Sequence, residues 1–130
     1  MNSDFRKQIV EEMNFYLDKQ LLQKFYPLVV DSDFGGYFTN AAYNWELSSE
    51  QEKMIVTQAR HIWTASKSAD FYPRNPVYKQ TAEHGLGFLR KKMWDEQYGG
   101  FYQIRGRAGG YTEASGWGDQ KRMYGNAFAI

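Results

Sequence analysis

A chain of 130 residues with 42% hydrophobic and 24% charged residues has the make-up of one ordinary globular domain. A net charge of +1 offers no broad positive field, so the balance argues against nucleic-acid binding and against electrostatic attachment to a membrane. The absence of cysteine removes disulfides and thiolate metal sites and fits a reducing compartment. The first residues carry charges throughout with no apolar core of a signal peptide, and no apolar run is long enough to cross a bilayer, so the expected location is cytoplasmic.

Ser3 or Asp4 can cap a first helix that runs to about Tyr26, where Pro27 stops it. Phe5, Ile9, Met13, Leu17, Leu21 and Phe25 recur every four residues and predict an amphipathic helix with one wet face. Gly35 and Gly36 then permit a turn that side chains would forbid, and the aromatic segments 37–39 and 43–45 suggest a short hairpin. Ser48 with Gln51, or Ser49 with Glu52, reads as a capping box for a second helix from about Glu50 to Phe71. Residues 54–66 of that helix carry one formal charge, on Arg60, which predicts burial on most sides. Asn75 and Pro76 restart the chain as N-cap and first helical residue of a third helix, with Tyr78, Ala82, Leu86, Leu89 and Met93 as its stripe. Gly85 and Gly87 suggest close packing there. A second aromatic, glycine-rich connection follows, and a fourth helix opens near Asp119 or Gln120.

The chain repeats itself. DFGGYF at 33–38 returns as QYGGFY at 97–102, and KMIVTQARHI at 53–62 returns as KRMYGNAFAI at 121–130. Each unit is an amphipathic helix, a glycine-aromatic loop and a more buried helix, dividing the chain at about 1–66 and 67–130. Stacked units need neighbours and caps, and the sequence ends on the apolar AFAI. The expectation is therefore the first part of a longer protein, with an open inner face that could also serve for homo-oligomer formation.

Arg60 poses the chemical question. An unpaired buried charge is costly, so its guanidinium needs a carboxylate, carbonyls or a polar ligand, and Asp33 and Glu46 are the loop carboxylates available to it. His61 lies about 100° further round the helix and reads as packed; His84 reads as structural. Two histidines without suitable spacing give no metal motif, and no cofactor fingerprint is present. GRAGG at 106–110 lacks the ending of a phosphate loop. Trp63 and Trp94 read as core, while Trp45 and Trp117, in loops, are better placed to stack on a sugar. Asp33, Asp95 and Glu96, beside the double glycines of both units, read as loop structure.

QARHIWTASKSADFYP, HGLGFLRKKMWDEQYGGFY and KRMYGNAFAI together resemble the N-terminal third of the N-acylglucosamine 2-epimerase and cellobiose 2-epimerase superfamily. The resemblance implies an all-α fold: part of an (α/α)6 barrel, about two helix-pair repeats with short aromatic hairpin loops. It implies a carbohydrate 2-epimerase or aldose–ketose isomerase acting on a mono- or disaccharide, with no cofactor. It places Arg60 of the Q-A-R motif and Tyr124 of the Y-G-x-A-F motif in the sugar pocket, and the acid–base histidines beyond Ile130, so that residues 1–130 alone would be inactive. Two other readings stand beside it: a glycoside hydrolase or lyase on a similar barrel, which would need two carboxylates across the scissile bond, and a non-catalytic helical-repeat binding module.

Overall fold

The computed structural model describes residues 3–130. Helix α1 (Ser3–Phe15) passes into a π-helical stretch (Tyr16–Leu22) and then α2 (Gln23–Leu28), making one long helical run. Strand β1 (Lys53–Met54) leads into α3 (Ile55–Phe71); α4 (Pro76–Phe88) continues as a second π-helical stretch (Leu89–Met93); β2 (Ile104–Arg105) precedes a 3-10 turn (Ala114–Gly116) and α5 (Met123–Ala129). β1 and β2 pair antiparallel, Lys53 opposite Arg105 and Met54 opposite Ile104, and so tie the start of α3 to the connection between the second π-helical stretch and α5.

The π-helical stretch has a consequence for the first helix. A π turn holds more residues than an α turn, and the residues buried after it fall out of step with the four-residue apolar stripe, whose earlier members Phe5 and Met13 are exposed. Leu22, Tyr26 and Val29 are buried instead of Leu21, and α1 itself buries no residue. Ser3 and Asp4 both lie inside α1, so its cap falls outside the described residues. Pro27 sits within the last turn of α2, and the helix ends one residue later, at Leu28.

α3 is the central element, packed against α4, α5 and the first helical run. Its start differs from the capping-box expectation. Gln51 spends its amide on the loop, donating to the Asn40 and Ser48 carbonyls at 2.6 and 2.9 Å and accepting from the Thr39 and Asn40 amides at 2.9 and 3.1 Å. Residues 50–52 therefore stay in the connection, and the helix begins at Ile55. Nor is α3 buried nearly all round: Ile55, Gln58, Ala59, Ala65 and Ser68 are buried, while Arg60, Trp63, Thr64 and Lys67 form an exposed stripe. Trp63, expected in the core, is 64% exposed, and Trp94 is also exposed. This exposed stripe of α3 borders the groove against the first helical run and the Phe128 ring of α5.

α4 starts as expected, the Asn75 side chain accepting from the Val77 amide at 3.1 Å with Pro76 in the first turn. Gly85 allows the close approach: a Cβ there would run into the Tyr37 ring, whose hydroxyl donates to the Thr81 carbonyl at 2.7 Å. Gly87 serves no such purpose, since nothing lies within 4 Å of a Cβ built on it. Two core clusters result, one around Tyr26, Tyr37, Ala65 and Tyr78, the other around Ile55, Phe88, Leu89 and Met93. The fold is all-α apart from the short β pairing, and it is part of an (α/α)6 barrel in which α3 and α5 are the inner helices.

Candidate functional site

The inner helices are positioned by the same device used twice. In the first unit Asp31 starts the double-glycine turn, with Gly35 and Gly36 at φ 85° and 70°. The Gly35 amide donates to the Asp31 carbonyl at 2.9 Å, and the Asp31 amide donates to the Gly36 carbonyl at 3.0 Å. The Asp31 carboxylate accepts from the amides of Asp33 and Phe34, and Lys53, just ahead of α3, donates to it at 2.9 Å and also to the Gly35 carbonyl. Gln58, on the first turn of α3, then holds Tyr37 by both its amide and its carbonyl, at 2.8 and 2.9 Å.

In the second unit Asp95, Gly99, Gly100, Lys121 and Asn126 repeat this pattern. The glycines have φ 69° and 79°, Lys121 donates to Asp95 at 2.5 Å and to the Gly99 carbonyl at 2.7 Å, and Asn126 holds Phe101 by amide and carbonyl at 2.7 and 3.0 Å. The recurring aspartate is Asp31, not Asp33. Comparing the blocks from position 33 onward misses it, although an aspartate four residues ahead of each Gly-Gly pair is visible in the sequence.

Asp31 and Lys53 are both fully buried. Burial alone would raise the Asp31 pKa, but hydrogen bonds from Arg107, Lys53 and the Phe34 amide hold it well below the usual carboxylate range. For Lys53, burial outweighs the attraction of Asp31 and pulls its pKa down. Lys121 likewise holds the Asp95 carboxyl well down.

With its N-terminus fixed in this way, α3 presents Arg60 on its open face. Arg60 makes no ion pair or hydrogen bond among the described residues. Of the two loop carboxylates available to it, Asp33 is taken by Arg107 at 2.9 Å. The guanidinium lies over the Phe128 ring of α5, 6.0 Å from its centroid. Tyr124, 67% exposed one helical turn earlier on α5, meets the same ring edge-on at 5.0 Å. Arg60 and Tyr124 therefore flank one aromatic ring on two adjacent inner helices. Arg60 also lines a groove of about 430 Å³ between the first helical run and α3, with Leu21, Phe25, Val56, Thr57, His61 and Thr64 among its walls.

The two histidines sit beside the first unit's core, and His61 also faces the groove that Arg60 lines. His84 Nε2 lies 3.1 and 3.2 Å from the carbonyl oxygens of Asp31 and Gly36, a structural role as expected. His61 stacks on Phe25 at 5.5 Å and against Tyr37 at 4.8 Å, and burial lowers its pKa. Of the loop tryptophans, Trp45 is half exposed with φ 69°, edge-on to Phe25 at 5.9 Å, and one face of Trp117 is covered by Arg122 at 3.9 Å. Among the described residues no group of three or more His, Asp and Glu could hold a metal ion, and no helix is long and apolar enough to cross a membrane.

The paired helices, with polar and aromatic side chains projecting from α3 and α5, form part of a helical barrel. The chain belongs to the N-acylglucosamine 2-epimerase (GlcNAc 2-epimerase) family, whose model matches residues 36–130. It is 26% identical over 120 residues to a cellobiose 2-epimerase of Bacteroides fragilis, covering 92% of this chain and 29% of that protein. The solved cellobiose 2-epimerase from Spirochaeta thermophila DSM 6192 superimposes with a TM-score of 0.80 at 26% identity, over 97% of this chain and 29% of that one. That from Bacillus thermoamylovorans B4167 gives 0.79 at 26% identity, over 94% and 30%. The chain thus spans about 29% of the length of the curated relative.

Proposed function

We propose that residues 1–130 supply part of the sugar pocket of a carbohydrate 2-epimerase or aldose–ketose isomerase, with Arg60 and Tyr124 as substrate contacts. The reaction is proton transfer at sugar carbon 2. After ring opening, a general base removes the C2 proton and the electron pair moves onto the carbonyl oxygen, giving an enediolate. Return of a proton to the opposite face of C2 yields the epimer, and return to C1 yields the ketose. The developing oxyanion is the charge that a positioned cationic donor stabilises. Arg60 suits that task because guanidinium stays ionised and donates through a planar fork. Tyr124 offers a hydroxyl donor and a ring face for the same ligand.

The observation that carries this reading is the state of Arg60: a guanidinium exposed on an inner helix, without a carboxylate among the described residues, sharing the Phe128 ring with Tyr124. On this reading proton transfer falls to groups outside residues 1–130, as the family resemblance implies, with His61 packed beside Phe25 and Tyr37 and His84 Nε2 held to backbone carbonyls. The test is C2 hydrogen–deuterium exchange in heavy water, followed by NMR. Residues 1–130 alone should leave glucose, mannose and cellobiose unexchanged. A hybrid in which this chain replaces the aligned segment of the Bacteroides fragilis cellobiose 2-epimerase should exchange the C2 position of cellobiose. A hybrid that folds but does not exchange contradicts the proposal, as does exchange by the 130-residue chain alone.

A further inference from the structure

Among the described residues four arginines lie over aromatic rings, and they differ in what their donors do. Arg107 sits between Phe34 and Phe38 and spends Nε and Nη2 on Asp31 and Asp33, at 2.8, 3.0 and 2.9 Å. Arg105 covers Tyr102 and donates from Nη1 to the Gly118 carbonyl at 2.6 Å. Arg122 covers Trp117 and donates from Nε to Gln120 Oε1 at 3.3 Å. Arg60 has the Phe128 ring, 6.0 Å from its central carbon, and no hydrogen bond or ion pair among the described residues.

The internal repeat accounts for where that ring stands. KMIVTQARHI at 53–62 aligned with KRMYGNAFAI at 121–130 sets Val56 against Tyr124 and Arg60 against Phe128. In each helix the two positions are one turn apart on the same face. An arginine at 128 would bring a second cation beside the first, whereas phenylalanine offers Arg60 a ring in place of a like charge. The Phe128 ring is 42% exposed and also meets Tyr124 edge-on at 5.0 Å, so one ring adjoins both proposed sugar contacts.

A carboxylate in the place of this ring would also hold the guanidinium, but it would take up the donors of the planar fork and cancel its charge. An aromatic ring attracts the cation and leaves every N–H unspent. We propose that Phe128 is a positioning residue for the reaction: its ring holds Arg60 and Tyr124 in one arrangement and keeps the Arg60 donors available to the sugar oxygens. This assignment rests on the sugar reading given above. Because Arg60 acts on the charge that develops at the oxyanion, loosening it costs more in the transition state than in the bound sugar.

The test has two arms. The side-chain Nε–H resonance of Arg60 in the isotope-labelled 130-residue chain reads the contact without any sugar. Phe128→Leu should move it, and Phe128→Tyr, which keeps the ring, should leave it in place. Turnover of cellobiose by the hybrid with the Bacteroides fragilis enzyme reads the consequence. There Phe128→Leu should lower kcat about two- to fivefold at unchanged KM, and Phe128→Tyr should restore it. An Arg60 resonance unmoved by Phe128→Leu, an unchanged kcat, a change confined to KM, or equal losses in the leucine and tyrosine variants overturns the proposal. Failure of the unsubstituted hybrid to exchange the C2 position strikes the sugar reading itself, and this assignment with it.

Discussion

Lys53 and Asp31 meet at 2.9 Å with both side chains fully buried, and that contact fixes the double-glycine turn to the start of α3. The pair joins the residue that starts the double-glycine turn, three places after the first helical run, to the residue two places ahead of the helix that carries Arg60. It acts as a local anchor for the candidate site.

Breaking the anchor should be costly. Asp31→Asn leaves a buried ammonium facing a neutral amide and should destabilise the chain by about 3–5 kcal/mol in urea unfolding. Asp95→Asn should cost less, about 1.5–3 kcal/mol, because Lys121 is 27% exposed and keeps part of its hydration.

The two anchors also set an acid limit. Folding lowers the pKa of Asp31 and Asp95 below the unfolded value of about 3.9. The unfolded chain therefore binds more protons than the folded chain below that value. The contribution to stability is present above about pH 4 and is lost as pH falls toward the folded pKa values. Unfolding free energy measured between pH 6 and 2 should fall most steeply below about pH 4, and Asp31→Asn should flatten that fall.

His61 adds a second, milder dependence. Its folded pKa lies below the ordinary 6.5, so protonation favours the unfolded chain. Stability should begin to fall as pH drops below about 6.5, before the carboxylates titrate. In His61→Phe, which keeps the stack on Phe25 and Tyr37, the slope between pH 7 and 5 should disappear; an unchanged slope assigns it elsewhere.

Two glycines should respond in opposite directions. Gly36 has φ 70°, and a Cβ there would lie 2.6 Å from Gln58 Oε1 and 2.9 Å from the Phe88 ring. Gly36→Ala should therefore cost about 2 kcal/mol or more. Gly87 lies in α4 with nothing within 4 Å, so Gly87→Ala should stabilise by about 0.5–1 kcal/mol through helix propensity.

Local chemistry was legible in the sequence where a residue type answers to one backbone need. Asn75 and Pro76 mark the start of α4, and each Gly-Gly pair occupies the left-handed conformations that its turn requires. Other features depend on contacts far apart in the chain. Gln51 reads as a cap because the pattern fits, but its amide is more fully satisfied by the loop backbone at Thr39 and Asn40. The π-helical stretch leaves no mark in the four-residue periodicity, which continues across it while the buried face moves to Leu22 and Tyr26. Asp31 and Lys53 are 22 residues apart, and only the second copy, Asp95 with Lys121, could have paired them from sequence. Arg60 stood out because a lone charge in an apolar helix needs a partner, and its ring neighbour Phe128 is its own counterpart in the second unit.

The most direct measurement is turnover of cellobiose by the hybrid enzyme with Arg60→Lys, alongside a circular dichroism spectrum that confirms the fold. Lysine keeps the charge but loses the planar fork, and the account predicts a drop in kcat of about a hundredfold or more with the spectrum unchanged. Turnover equal to that of the unsubstituted hybrid would contradict the assignment of Arg60 to the sugar.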